Sequence, residues 1–341
     1  MSKTRTVVLH LVDDTTAGGV MQVIDFLTNS RRLARDAEHR VVSVLRGKFS
    51  GVPKGADVLV SHTAISWSTL PGLVALRASF PKTPIIHVEH SYTEAFVAHN
   101  VRRKTRFGCL LKVAFALFDR VVAVSRAQAR WILENKLCSE RRLVTIQSCV
   151  DLSSFRALKA VEGPVRTFGA IGRLDPQKGF DVLIEAFTEI ENPALRLIVT
   201  GQGPELEKLQ ALAGDDPRIS FAGYTADASA AYARVDAVVM PSRWEAYGLV
   251  AIEALAARRA VLCADVDGMR DHSIHGAQYI EKATVAGTKS AIEKLVQRSE
   301  TTEITGVDRP FSIVEAKAES DWLNLIAETT ERRLVPENAV A

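Results

Sequence analysis

Two doubly wound α/β domains are what this sequence predicts, and three observations carry the expectation. Short, continuous β-branched runs alternate with longer helical stretches along the whole chain. The rhythm pauses near Ala157–Pro164 and then restarts. At 341 residues the chain is long for one hydrophobic core and suits two domains of ordinary size. The expected division is a first Rossmann-like domain over 1–158, a second over 165–311, and a closing helix over 312–335 that packs back towards the first.

The first series opens at Val7–Val12, a six-residue apolar core that ends in Asp13 and Asp14. It reads as a strand and not as a signal peptide. Val41–Leu45, Val58–Val60, Ile85–Val88, Val121–Val124 and Leu143–Ile146 follow as strands, with helical segments such as Val20–Leu27 and Gln128–Leu133 between them. The second series runs Phe168–Ile171, Leu195–Val199, Ile219–Phe221, Ala237–Met240 and Ala260–Cys263. Continuous apolar runs of this kind belong to parallel strands covered on both faces. Phe180, Leu183, Ile184 and Phe187 stand at i, i+3, i+4 and i+7, a core-facing helical stripe. A last helix is expected over Ile313–Arg333.

Composition narrows the class. The chain is 47% hydrophobic and 24% charged, an ordinary globular balance. No apolar run approaches the ~20 residues that span a bilayer. Four cysteines, Cys109, Cys138, Cys149 and Cys263, are scattered without metal-ligand spacing and fit a reducing, cytoplasmic setting. Residues 1–155 carry 22 Lys/Arg against 12 Asp/Glu, a net of +10, whereas residues 156–341 carry 21 against 28, a net of −7. A basic first half points to an anionic partner, such as a membrane surface or an acidic acceptor. Mutual attraction of the two halves would explain the same asymmetry.

Several stretches carry candidate chemistry. In "AIGRLDPQKGFDVLIEAF" a strand leads into Arg173 and Lys178 and then a helix start. Two cations and a helix N-terminus suit a diphosphate, although a solvated basic loop reads the same way. "LIVTGQGPELEKLQ" places Gly201 and Gly203 after a strand, but Leu206 stands where a dinucleotide fingerprint needs its third glycine. We read a tight turn that lets backbone come near a nucleotide. Gly18-Gly19 before the first helix offers unhindered amides at a positive dipole end. His90 falls at the carboxyl end of a strand, where open α/β sheets keep functional groups, while His87 within the strand reads as a core residue. Arg102, Arg103, Lys104 and Arg106 precede a stripe of Phe107, Leu110, Leu111, Ala114 and Phe118, which could lie on an anionic membrane or pack on the sheet. Asp265-Val266-Asp267 follows a strand in a turn context and reads as structural.

"WEAYGLVAIEAL" holds the most telling residue. The neighbours of Glu253 on a helix face are Leu249, Val250, Ala256 and Ala257, all apolar. A carboxylate there must be protonated, paired or bound to something.

In this order, "FDRVVAVSRA", "AIGRLDPQKGFDVLIEAF", "LIVTGQGPELEKL", "ISFAGY" and "MPSRWEAYGLVAIEALAARRAVLCADVDGMRD" resemble the family 4 retaining glycosyltransferases of the GT-B fold. The N-terminal "VVLHLVDDTTAGGVMQVIDFL" is similar to that family's glycine loop and first helix. The resemblance covers nearly the whole chain and implies two Rossmann-like domains facing across a cleft. It implies that Glu253 accepts hydrogen bonds from the nucleotide ribose, that Glu245 lies near the donor sugar, and that Arg173 and Lys178 neutralise the diphosphate. The amides around Tyr247, Gly248 and Leu249 would cradle phosphates, Gly19 would face the phosphates from the first domain, and His90 would line the reaction cleft.

The activity implied is hexosyl transfer with retention from a nucleotide-sugar co-substrate. UDP-sugars are the commonest donor class in that family. No metal and no further cofactor are required in that scheme. The acceptor would be a membrane lipid, a cell-surface polysaccharide or lipopolysaccharide precursor, or a small molecule. Nucleic acid is not an expected partner. From the cysteine usage and the basic first half, the expected location is cytoplasmic, with peripheral contact to the inner face of the membrane through Arg102, Arg103, Lys104 and Arg106. A catalytically silent nucleotide-sugar-binding protein and a Rossmann-type NAD(P) oxidoreductase are the alternatives. Two places depart from the family pattern: Ser148-Cys149 where Asn-Gly is usual, and Arg258-Arg259-Ala260 where glycine and proline are common.

Overall fold

The computed structural model describes residues 5–16, 18–301 and 311–334. The chain divides into unit 1, Met1–Val150 with Ile313–Ala341, and unit 2, Asp151–Ser312.

Unit 1 runs β1 (Thr6–Val12), α1 (Gly19–Asn29), α2 (Leu33–Asp36), β2 (Ala37–Ser43), β3 (Val58–Ser61), α3 (Leu70–Ser79), β4 (Ile85–Glu89), α4 (Glu94–Asn100), α5 (Lys104–Ala116), β5 (Arg120–Ala123), α6 (Arg126–Glu134) and β6 (Leu143–Thr145). Its six strands lie in the order β2-β1-β3-β4-β5-β6, all parallel. Every residue of β3, β4 and β5 is buried, which is why these strands read as continuous apolar runs. The edge strand β2 differs. It starts at Ala37, ahead of the expected Val41, and exposes Glu38 and Arg40. An edge strand has a wet face and a charged margin, so its first half carries no apolar signal.

Two helix starts follow from side chains that accept a backbone N–H. Thr93 caps α4 through the amide of Phe96, and Ser125 caps α6 through that of Gln128. On α5 the stripe Leu110, Leu111, Ala114 and Phe115 is buried in the unit's core together with Phe118. The Leu110–Phe115 stripe is therefore taken by the core of the unit, while the basic start of α5 and, further along, Lys112 and Val113 stay exposed.

Unit 2 runs α7 (Ser153–Arg156), β7 (Thr167–Ile171), α8 (Phe180–Thr188), β8 (Arg196–Thr200), α9 (Leu206–Ala213), β9 (Ile219–Gly223), α10 (Ala228–Ala233), β10 (Ala237–Met240), α11 (Leu249–Ala256), β11 (Ala260–Ala264), β12 (Gln278–Ile280) and α12 (Val285–Ser299). The strand order is β12-β11-β10-β7-β8-β9, again all parallel. Phe180, Leu183, Ile184 and Phe187 are buried, as their spacing predicts. The strand order reverses between β7 and β10, and a crevice opens at the carboxyl ends of such a pair.

The last helix, α13 (Ser312–Leu334), belongs to unit 1. Glu319 accepts a 2.6 Å hydrogen bond from Ser30, and Trp322 is buried beside Val23 and Phe26 of α1. Ser148 and Cys149, one of the two departures from the family pattern, line the same small cavity.

Candidate active site

The loops leaving β7 and β10 meet at the switch point of the second sheet, and they carry the charged cluster the sequence singles out. After β7 the chain turns through Gly172, and Asp175 accepts the amide of Gln177 to start the 3₁₀ turn Pro176–Lys178. Gly179 follows in the left-handed region at φ 66°. A Cβ there would lie 2.3 Å from the carbonyl oxygen of Pro241, so only glycine lets the two loops close on each other. The amide of Arg243 donates to Gln177 at 2.8 Å, and its guanidinium grips Asp181 with two bonds of 3.0 and 2.8 Å. These bonds hold one loop against the other before any ligand arrives.

Lys178 Nζ lies 2.5 Å from Glu245 Oε2, with both side chains largely shielded from solvent. Arg173 bonds to Asp175 and keeps a side chain 70% exposed. Each of the two cations thus already has a carboxylate partner within the chain.

Glu253 is 4% exposed on α11, and one of its oxygens accepts a hydrogen bond from the Tyr232 hydroxyl of α10. That tyrosine answers how a carboxylate survives in an apolar stripe. It was not legible beforehand, because it sits 21 residues away on another helix. Burial pushes the Glu253 carboxyl up, while the Tyr232 hydrogen bond and the Lys178 charge pull it down. The Tyr232 hydroxyl is itself raised, by burial first and then by Glu253.

The start of α11 is shaped by Gly248, at φ 91°, whose Cβ would lie 2.5 Å from the Met269 sulfur. Tyr247 is buried, and His272 donates its Nε2–H to the Tyr247 carbonyl at 2.7 Å. That bond fixes the tautomer of His272, whose pKa burial lowers to about 4. The N-cap of α11, Gly248, offers no side-chain cap, so the positive end of the helix is left without a capping acceptor from that residue. Asp267 accepts the Glu245 amide at 3.3 Å.

Within the protein, the neighbour of Gly201 is backbone. At φ 145°, its Cβ would lie 1.9 Å from the Gly172 carbonyl oxygen, and a Cβ on Gly203 would lie 2.3 Å from that of Leu174. The close approach these glycines permit is to the Arg173 loop, which the Leu174 amide secures on the Gln202 carbonyl at 2.9 Å. The departure at Arg258-Arg259 is also accounted for. Arg258 takes the left-handed position after α11 at φ 56°, where glycine is favoured, and its guanidinium reaches the Leu158 carbonyl. Arg259 donates to the carbonyls of Tyr232 and Lys159, both at 2.8 Å.

In unit 1, Gly19 opens α1, and His90 lies half-buried just past β4. His90 Nε2 is 2.9 Å from His62 Nδ1. His87 is on the opposite face of β4, stacked on Phe118 at 4.7 Å, with Glu89 Oε2 3.6 Å from its Nε2.

Two parallel six-stranded sheets, the second with its charged cluster at the switch point, define a class: the GT-B glycosyltransferase fold. The chain aligns with HepE of Anabaena, solved with UDP and glucose, at TM-score 0.65 and 17% identity over 95% of this chain and 97% of that one. It aligns with sucrose-phosphate synthase of Thermosynechococcus elongatus at TM-score 0.69 and 16% identity, over 96% and 97%. The family model described as Glycosyltransferase Family 4 matches residues 20–154, and that described as Glycosyl transferases group 1 matches 165–298. The chain belongs to the family 4 glycosyltransferases.

Among curated relatives, an uncharacterized glycosyltransferase of Methanocaldococcus jannaschii is 26% identical over 73% of this chain and 68% of its own length. The phosphatidyl-myo-inositol mannosyltransferase of Mycolicibacterium smegmatis is 30% identical over 77% and 66%. The D-inositol 3-phosphate glycosyltransferase of Segniliparus rotundus is 28% identical over 54% and 46%. The matched stretch thus spans about half to two thirds of these relatives.

Proposed function

We propose that this glycosyltransferase moves a hexose from a nucleotide-sugar donor to an acceptor hydroxyl with retention of configuration, without a metal ion. The observation that carries the reading is the Lys178–Glu245 pair beside buried Glu253 at the β7/β10 switch point. One compact place supplies cations and a helix N-terminus for a diphosphate and two carboxylates for hydroxyl groups.

The residues divide the work by charge. As the sugar C1–O bond to the diphosphate breaks, negative charge gathers on the leaving group and positive charge on the ring. Lys178, Arg173 and the amides at Tyr247, Gly248 and Leu249 face the former. The acceptor oxygen bonds to C1 on the face the diphosphate leaves, and its proton passes to a departing phosphate oxygen. Glu253 binds the ribose hydroxyls through its oxygen that Tyr232 does not occupy. Glu245, exchanged off Lys178 by the arriving diphosphate, is released towards the sugar hydroxyls. Gly19 and His90 of unit 1 keep the phosphate-side and reaction-side roles that the family resemblance gives them, and Gly201 acts by shaping the Arg173 loop.

UDP-sugar is the donor class we assign, in keeping with UDP in the HepE structure. The acceptor we assign is anionic, in keeping with the net +10 of residues 1–155 and the phosphorylated inositol acceptors in the names of two relatives. Exposed Arg102, Arg103, Lys104 and Arg106 would hold the protein on an anionic leaflet by charge alone, since the apolar face of α5 is buried. No helix among the described residues is long and apolar enough to cross a membrane.

A thermal-shift panel of UDP-, GDP- and ADP-sugars, with and without chelator, tests the reading. A donor at 100 times its Kd stabilises by about 2.7 kcal/mol. Stabilisation by UDP-sugars that survives chelation is expected. Stabilisation by no nucleotide sugar, or only with a divalent ion, would refute it.

A further inference from the structure

Four of the eight histidines form one line across the first sheet. His39 Nδ1 lies 2.9 Å from His10 Nε2, His10 Nδ1 lies 2.9 Å from His62 Nε2, and His62 Nδ1 lies 2.9 Å from His90 Nε2. Successive ring centroids are 5.2 Å apart with interplanar angles of 24–27°. Nitrogens at hydrogen-bond distance with centroids that far apart mean imidazoles joined end to end, not face to face.

The register explains how. His39 on β2 is level with Val8, and His10 stands two residues further along β1. His10 is level with Val60 on β3, and His62 stands two further along. Ser61 is level with His87, so His62 is level with Val88, two short of His90. Each step crosses one strand and climbs two residues. All four side chains therefore point from the same face of the sheet, while His87 points from the other.

We infer that His39, His10 and His62 form a hydrogen-bonded chain that fixes the tautomer of His90, so that His90 presents an N–H donor at Nδ1 and not a base. A neutral imidazole has one N–H and one lone pair. Three links in series are all made only if every ring carries its proton on the same-named nitrogen. Turning one ring alone sets two donors or two lone pairs against each other. The direction is decided at the closed end. His39 Nε2 is buried and has no partner among the described residues. If the chain ran as Nε2–H throughout, that atom would be an orphaned buried donor. Run as Nδ1–H throughout, it is an orphaned acceptor, which proteins tolerate more readily. Neutrality is supported by burial, which lowers the pKa of His10 to about 3 and of His39 and His90 to about 4, and lowers that of His62 well below its ordinary value. His39, His10 and His62 are thus positioning residues, acting through His90.

The consequence for transfer rests on the reaction-side reading of His90, but the tautomer does not. The test is the ring-nitrogen NMR spectrum of ¹⁵N-histidine-labelled full-length protein near neutral pH, with nitrogen–nitrogen couplings across the links. His90 should show a protonated Nδ1, coupled in series back to His39. His39→Asp places an acceptor-only oxygen where Nδ1 stands and should move the His90 proton to Nε2. His39→Asn offers an amide N–H at that position and should restore Nδ1–H. Transfer should follow, with kcat about tenfold lower in His39→Asp, KM for the donor unchanged, and recovery in His39→Asn. A wild-type His90 with Nε2–H, a mixture of tautomers, absent couplings, or a His39→Asp spectrum in which His90 is unchanged would overturn the inference. If His39→Asp does not fold, the wild-type and His39→Asn spectra decide it. If the proton moves as stated while transfer is the same in every variant, the lock stands and the reaction-side role of His90 falls.

Discussion

At the scale of single residues, Glu253 is a buried carboxylate to which we assign a binding role. Tyr232 satisfies one oxygen and Lys178 contributes a favourable charge, yet burial still pushes the carboxyl up. A hydroxyl ligand needs the ionised, acceptor-only form. Donor affinity should therefore fall as pH falls, beginning above the usual carboxyl value of 4.5, because a raised pKa brings protonation at a higher pH. Glu253→Gln keeps an acceptor for Tyr232 and should leave melting close to wild type. It should raise the donor Kd by roughly 10- to 100-fold, the worth of a charge-assisted hydrogen bond, and abolish that pH dependence. Calorimetric titration across pH checks both, and wild-type affinity in the variant would remove the ribose role. The burial of Glu253 was legible from its apolar i±3 and i±4 neighbours, whereas its satisfaction by Tyr232 was not, since no local pattern links two helices.

At the scale of elements, the strands that read clearly are those buried on both faces. β3, β4, β5, β10 and β11 have no exposed face to dilute the signal. The start of β2 and the whole of β12 were missed, the first because an edge strand is half wet, the second because three residues carry no period. Missing the start of β2 hid His39, and with it the outer end of the histidine chain. The glycines after β8 show the opposite case, a visible motif whose neighbour sequence could not name. Gly201→Ala would drive a methyl into the Gly172 carbonyl at a backbone angle that disfavours side chains. We expect a loss of about 2–4 kcal/mol from unit 2, with the Arg173 loop displaced and donor binding weakened. A Gly201→Ala protein that melts like wild type would show that the two loops are not in contact.

At the scale of the whole molecule, the class of fold was legible because the βα rhythm runs twice and stops once between the runs. The family was legible because several motifs occur in the right order, none of which suffices singly. The opposite net charges of residues 1–155 and 156–341 are a property of the sequence, and the anionic-acceptor reading of unit 1 draws on the first of them. We assign the donor chemistry to unit 2, and give a fixed cation, Lys178, the place a metal holds in other nucleotide-sugar enzymes. That assignment is the centre of the account, and Lys178 bears it. The most direct measurement is the rate of nucleoside diphosphate release from a UDP-sugar by wild type and by Lys178→Ala at saturating donor. The account predicts a fall on the order of 10²-fold, as when one preorganised charge-stabilising group is lost from a transition state, with the fold retained. An undiminished rate would place the leaving diphosphate away from Lys178 and contradict it.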